Sequence, residues 1–397
     1  MIQLSDRVND LEESATLAMA AKSRELKLQG KDIISLSLGE PDFNTPDFIK
    51  QAAKKGIDDN FSTYMPVQGY LDLRESICLK FKRDNGLTYT PDQIVVSTGA
   101  KQSLINVILC LINPGDEVIV PAPYWVTYYE QVRMAGGIPI VITTTIDNDF
   151  KITAKQLKDA ITTKTKLMVF SNPCNPTGTA YSKAELKSLA EVVAATPNFY
   201  VISDEIYEHI NFVGKNESFA QFPEVYDRTI TVNGVAKAFA MTGWRVGYIG
   251  APKEIAAACT KLQGQYTSGT GSISQRATKA AMEADPSEIK FMVDAFHKRR
   301  DLVISLLREI KGLKINVPQG AFYVFPDVSY FFGKSFGTHK IKTAEDLTLY
   351  LLDDALVALV TGEAFGDGNC IRISYAASEE VLKNAIARIK TSLEKLV

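Results

Sequence analysis

Leu167-Met-Val-Phe-Ser171, running straight into Asn172-Pro-Cys-Asn-Pro-Thr-Gly178, is the stretch that decides the fold. Its first half is apolar on consecutive positions rather than alternating, the pattern of a strand buried on both faces of a mostly parallel sheet. Two Asn-Pro steps and a Thr-Gly then force a rigid, non-helical path at the strand's end. Six further runs read as strands: Ile94-Val-Val-Ser-Thr98, Glu117-Val-Ile-Val-Pro121, Ile138-Pro-Ile-Val-Ile142, Phe199-Tyr-Val-Ile-Ser203, Thr229-Ile-Thr-Val-Asn233 and Gly247-Tyr-Ile-Gly250. Helical patterns over Lys101–Leu111, Ala184–Ala195 and Lys253–Lys261 lie between several of them. The expected fold class is therefore α/β, with a large domain whose seven-stranded, mostly parallel sheet is covered by helices.

The two ends of the chain read differently. A helical stretch over Ala15–Gln29 precedes a strand over Asp32–Leu38 that ends at Gly39. From Pro286 a long helical pattern leads to Ala321-Phe-Tyr-Val-Phe325, then to Ile371-Arg-Ile-Ser374 and a final helix over Glu379–Leu396. These pieces suggest a smaller α+β domain built from both termini, residues 1–45 and 286–397, beside a large domain over 46–285.

Composition narrows the function. Forty-four Lys plus Arg against 46 Asp plus Glu leave a net charge of −2, so no global field draws in nucleic acid or an anionic membrane. The longest apolar stretches fall short of the roughly 18–20 residues that span a bilayer, and the first residues do not read as a secretory signal. A cytoplasmic enzyme is the expected class. Cys78, Cys110, Cys174, Cys259 and Cys370 never form a C-x-x-C pair, and His209, His297 and His339 stand alone, so neither a disulfide framework nor a metal site is expected. The chain also lacks a G-x-S-x-G elbow, a P-loop and a dinucleotide fingerprint.

In an open parallel sheet, functional residues collect at the carboxyl ends of the strands. Ser97-Thr-Gly-Ala-Lys-Gln-Ser103 is a small-residue turn opening a helix, a place for a phosphate, although such a turn is by itself more often only a turn. The doubled Asn-Pro positions Asn175. Ser203-Asp-Glu-Ile-Tyr207 brings Asp204 and Tyr207 over the same crevice, where a helix cap explains only one of its acids. Lys237, in Gly234-Val-Ala-Lys-Ala-Phe-Ala-Met-Thr-Gly-Trp-Arg-Val-Gly247, sits among small and apolar neighbours. Desolvation there lowers an ammonium's pKa, which is what an amine needs to form a Schiff base. Arg245 adds a second cation. A lysine, a carboxylate, a phenol, an amide, an anion turn and an arginine together are the set that pyridoxal phosphate chemistry calls for.

The 234–247 segment resembles the lysine-attachment signature of class I pyridoxal phosphate-dependent aminotransferases. The likeness extends to Leu38-Gly-Glu-Pro-Asp-Phe43, Tyr64, Pro121-Ala-Pro-Tyr-Trp125, Asn175-Pro-Thr-Gly178, Ser203-Asp-Glu-Ile-Tyr-Glu208 and Arg372-Ile-Ser-Tyr375, over essentially the whole chain. It is nearest to bacterial aspartate aminotransferases of the subgroup typified by thermophilic eubacteria. The resemblance implies that Lys237 carries pyridoxal 5'-phosphate and shuttles the proton, and that Asp204 pairs with the pyridinium nitrogen. Tyr207 and Asn175 would hold the phenolic oxygen, with Trp125 stacked on the ring. The amides of Gly99, Ala100 and Lys101 would bind the phosphate with Arg245, and Tyr64 would reach the phosphate in the neighbouring subunit of a homodimer. Arg372 would clamp the substrate α-carboxylate bidentately, and Gly39 would let the backbone approach it.

For the distal carboxylate of aspartate, the same resemblance implies Lys101, Ser14 and Thr16. Glu12 departs from the lysine found in members of the subgroup that also take prephenate, which lowers that role. The expected reaction is ping-pong transfer from L-aspartate to 2-oxoglutarate. The alternatives are aromatic, alanine, prephenate or broad-specificity aminotransferases and a β-lyase on the same fold. A transcription regulator would need an added DNA-binding module, and a dead binding protein would be expected to lack Lys237 or Asp204.

Overall fold

The computed structural model describes residues 2–397. The seven runs form one sheet of β1 (Ile94–Ser97), β2 (Glu117–Pro121), β3 (Ile138–Ile142), β4 (Thr165–Ser171), β5 (Tyr200–Asp204), β6 (Thr229–Gly234) and β7 (Gly247–Gly250), in the order β1-β7-β6-β5-β4-β2-β3. Neighbours are parallel except at β7, which runs antiparallel to both β1 and β6. A parallel neighbour needs a crossover helix, whereas an antiparallel one needs only a loop. Residues 235–246 are that loop, and they leave β6 at the sheet's carboxyl edge carrying Lys237 and Arg245.

Strand side chains alternate between two apolar layers. Val118, Val120, Leu167, Val169 and Ile202 pack on one face with Leu104, Val107 and Ile108 of the helix Ala100–Leu111 and with Ile255 and Cys259 of Lys253–Tyr266. Ile119, Met168, Phe170 and Val201 pack on the other with Leu186, Leu189 and Val193 of Lys183–Ala195. That helix starts on a capping box, in which Ser182 Oγ accepts from the Glu185 amide at 3.3 Å and Glu185 accepts from the Ser182 amide at 2.7 Å.

Pieces from both ends of the chain build the smaller α+β part. The expected strand over Asp32–Leu38 shrinks to Ile34–Ser35, because only these residues find parallel partners, Val357 and Ala358. Ile371–Ser374 forms the middle of an antiparallel sheet between Val360–Thr361 and Tyr323–Val324. The helices Lys290–Leu307 and Glu379–Glu394 cover it, burying Val303, Leu307, Leu382 and Ile386.

One buried ion pair ties the helix Leu71–Lys80 to the turn after β5. Lys80 Nζ donates to the Glu208 carboxylate and, at 2.8 Å, to Asn85 Oδ1. Glu208 also accepts from the Asn85 and Asn233 amides, each at 2.7 Å. Burial works against its charge, yet Lys80 holds the carboxyl down at about 2. Asp84 and His209 stand at the rim of this pair, and the ammonium already supplies the cation. Lys80→Met leaves Glu208 buried without its countercharge, so a loss of roughly 3–5 kcal/mol is expected. Urea denaturation reads it as a lower midpoint, and an unchanged midpoint would show the pair to be dispensable.

Candidate active site

The carboxyl ends of β1, β4, β5 and β6 meet residues from both chain ends around a cavity of about 310 Å³. β5 ends on Asp204, whose Oδ2 accepts from Tyr128 Oη at 2.7 Å and whose Oδ1 accepts from the Ile206 amide at 3.2 Å. Burial pushes this carboxyl up to about 6, against the pull of Tyr128 and of Lys237. In the turn that follows, Tyr207 Oη lies 2.8 Å from Tyr323 Oη.

The 235–246 loop presents Lys237 to the cavity, where Nζ donates to the Gly39 carbonyl at 2.6 Å. Burial, then the neighbouring Arg372, holds the amine down at about 8. About a tenth of it is then free base at pH 7, against almost none of an ordinary lysine. Four cations, Lys101, Lys237, Arg245 and Arg372, line the cavity against the single carboxylate of Asp204. Such a space suits an anionic guest.

Arg245 adopts a left-handed backbone, φ 57°, and its Nη1 donates to the Thr242 carbonyl at 3.0 Å. Its guanidinium lies against the Gly99 turn, where a Cβ on Gly99 would stand 2.4 Å from Nη2. β7 makes the same close approach, since a Cβ on Gly247 would fall 2.1 Å from the Ala100 nitrogen. Of the three amides expected to bind an anion here, that of Gly99 is already used, donating to the Ser97 carbonyl at 2.8 Å within the tight turn. Ala100 and Lys101 open the helix, so their amides have no carbonyl within it to bond to.

Arg372 is buried in the middle strand of the small sheet rather than lying on a polar edge. Its Nη1 donates to Asn175 Oδ1 at 3.0 Å and its Nη2 to the Ser37 carbonyl at 2.5 Å, with Thr16 Oγ1 at 3.5 Å. The guanidinium stacks over Tyr323 and Phe365, 4.8 and 4.7 Å from their ring centroids. Its Nε is buried without a partner, a donor left for an anion. Gly39 is needed for a reason the sequence did not suggest: a Cβ there would stand 1.8 Å from Tyr323 Oη.

Trp125, Ser14 and Thr16 also line the cavity. Trp125 sits edge-on to Tyr128, with Lys101 Nζ 4.9 Å from its ring centroid. Tyr64 does not line it and stands 98% exposed. Two residues at the site escaped sequence reasoning. Tyr128 lies one helical turn after Trp125, a spacing that put it within reach of the same face. Tyr323 had no local signal beyond its strand pattern. A wider groove of about 840 Å³ opens beside the cavity and shares Ser14, Lys101, Thr127 and Arg245 with it, but contains neither Lys237 nor Asp204.

Residues 31–389 match the model of the family described as aminotransferase class I and II. The chain is 48% identical over 397 residues to a Petunia hybrida protein named bifunctional aspartate aminotransferase and glutamate/aspartate-prephenate aminotransferase, covering 99% of this chain and 83% of that one. The crystal structure of the aspartate aminotransferase from Rhizobium meliloti superposes with a TM-score of 0.97 at 42% identity, covering 100% of both chains. Aspartate aminotransferase from Thermus thermophilus with maleate gives 0.93 at 40%, covering 99% of this chain and 100% of that one. The sheet, the lysine on its β6–β7 loop and a family match over nine-tenths of the length lead to one conclusion: the chain belongs to the class I and II aminotransferases and is a transaminase.

Proposed function

We propose that this enzyme moves the amino group of L-aspartate to 2-oxoglutarate, giving oxaloacetate and L-glutamate, with pyridoxal 5'-phosphate as cofactor. One observation carries the reading: the Lys237 amine, held down at about 8, shares a four-cation cavity with the buried carboxylate of Asp204. The residues present suit the group. The Ala100 and Lys101 amides with Arg245 would hold the phosphate, Asp204 would pair with the ring nitrogen, Tyr207 and Asn175 would bond the phenolic oxygen, and Trp125 would lie against the ring. The bound cofactor supplies an aldehyde that condenses with amines and a ring that accepts electrons from Cα.

The residues of the chain do the rest. Lys237 Nζ would anchor the aldehyde, and the Gly39 carbonyl, 2.6 Å away, would hold the amine in place when it is free. As a free base it would carry the proton at the substrate Cα. Asp204 would keep the ring nitrogen protonated by charge pairing. Arg372 binds the α-carboxylate through its fork, with Asn175 beside it. Lys101, Ser14 and Thr16 take the distal carboxylate, in line with the dicarboxylate maleate that accompanies the Thermus thermophilus neighbour. Residues 46–285 hold the cofactor, while 1–45 and 286–397 close over the substrate. The enzyme works as a cytoplasmic homodimer, in which exposed Tyr64 completes the partner's phosphate site.

A second reading, prephenate as amino acceptor, is favoured by the Petunia hybrida relative's name. Glu12 lines the wider groove beside the cavity, where its backbone N–H donates to the Glu130 carboxylate at 3.4 Å; it puts an acid rather than an amine there and counts against this reading. Absorbance of the cofactor-loaded protein, titrated with aspartate and then with alanine, aromatic and other donors, separates these readings from a broad-specificity enzyme. A β-lyase would release pyruvate without a keto acid.

Lys237→Ala is expected to abolish turnover, and near-normal transamination would refute its role. Arg372→Leu should raise the KM for every amino acid by about a hundredfold, the loss of a bidentate charge-assisted pair; unchanged kinetics would remove the clamp. Lys101→Ala should raise KM for aspartate by about tenfold and leave alanine almost unaffected. An equal loss for both donors would show that it holds the phosphate instead.

A further inference from the structure

Tyr323 is one of the largest fully buried side chains, and nothing so far gives it a part in the chemistry. It lies on the strand beside the one carrying Arg372, with Ser374 as its direct partner. From there one side chain touches three parts of the site. Its hydroxyl stands 2.8 Å from that of Tyr207, its ring lies under the Arg372 guanidinium at 4.8 Å, and its Oη fills the space a side chain on Gly39 would need.

We propose that Tyr323 is a positioning residue that donates its phenolic proton to Tyr207 Oη, leaving the Tyr207 proton to point into the cavity at the cofactor's phenolic oxygen. The inference rests on the cofactor reading above and deepens it. A phenol offers one donor and an oxygen that accepts. Two hydroxyls 2.8 Å apart use one proton between them, so the pair has one left over. If Tyr207 gave its proton to Tyr323, no donor would remain at the position facing the cofactor. If Tyr323 gives its own, Tyr207 keeps a donor, and that donor is strengthened because hydrogen bonds in a chain polarise one another. The groups facing Tyr207 are Tyr323, Arg372 and Asp204, with Lys237 Nζ 5.9 Å from the ring centroid. Burial keeps both phenols protonated, so each enters the pair as a neutral hydroxyl.

A donor on the phenolic oxygen weakens its hold on the neighbouring imine proton, so the visible absorbance of the loaded enzyme changes at lower pH when the donor is strong. Tyr323→Phe keeps the ring and its stacking on Arg372, and removes the hydroxyl that bonds Tyr207 and lies against Gly39. The absorbance transition is expected to move to higher pH, by less than in Tyr207→Phe, and the double variant should match Tyr207→Phe alone. KM for aspartate should stay within about twofold, because the clamp is untouched. A transition that stays in place or moves down, or a double variant whose shift is the sum of the two, would overturn the proposal. If Tyr207→Phe itself leaves the transition unmoved, the cofactor reading of Tyr207 fails, and the role of Tyr323 falls with it.

Discussion

An amine taken out of water among more cations than carboxylates is the constraint on which the rest of this molecule depends. Lys237 shares its cavity with three other cations and a single carboxylate, and burial together with Arg372 lowers its proton affinity. Left in water on a surface loop, the same side chain would stay an inert ammonium. Its position follows from topology, because β7 returns antiparallel and so needs only the 235–246 loop, which starts at the carboxyl edge of β6. The close packing of Gly247 on Ala100 then draws the end of that loop onto the anion turn, bringing Arg245 to Gly99.

The cavity is shared between two parts of the molecule, and the polar contacts across it are specific. The large sheet supplies Asp204, Asn175 and Lys237, while the small part supplies Gly39, Ser37, Tyr323 and Arg372. Lys237 bonds across to Gly39, Asn175 to Arg372 and Tyr207 to Tyr323. Thr45 and Glu40 add further ties to the lysine loop, through the Ala240 carbonyl and Thr242. Polar groups from both parts of the molecule therefore converge on the one cavity.

The seven strands were legible because both faces of the sheet are covered, so most of them are apolar on consecutive positions. The direction of β7 was not, since Gly247-Tyr-Ile-Gly250 reads the same in either orientation. Asp204, Tyr207, Asn175 and Lys237 stood out because their strand ends carry polar residues in otherwise apolar surroundings. Tyr323 and the Ser37 carbonyl did not, for their contacts join segments more than a hundred residues apart: Tyr323 meets Tyr207 across 116 positions and Ser37 meets Arg372 across 335. The Asp32–Leu38 strand was overestimated because apolar alternation signals burial, whereas the ladder ends where its partner Val357–Ala358 ends. At Gly99 the sequence indicated the turn but not which of its amides the turn would consume.

The most direct test of the central claim is borohydride reduction of the cofactor-loaded protein, followed by digestion and mapping of the modified peptide by mass spectrometry. The predicted result is a reduced pyridoxyl group fixed on Lys237 alone. A label on Lys101, or one scattered over surface lysines with Lys237 unmodified, would contradict it.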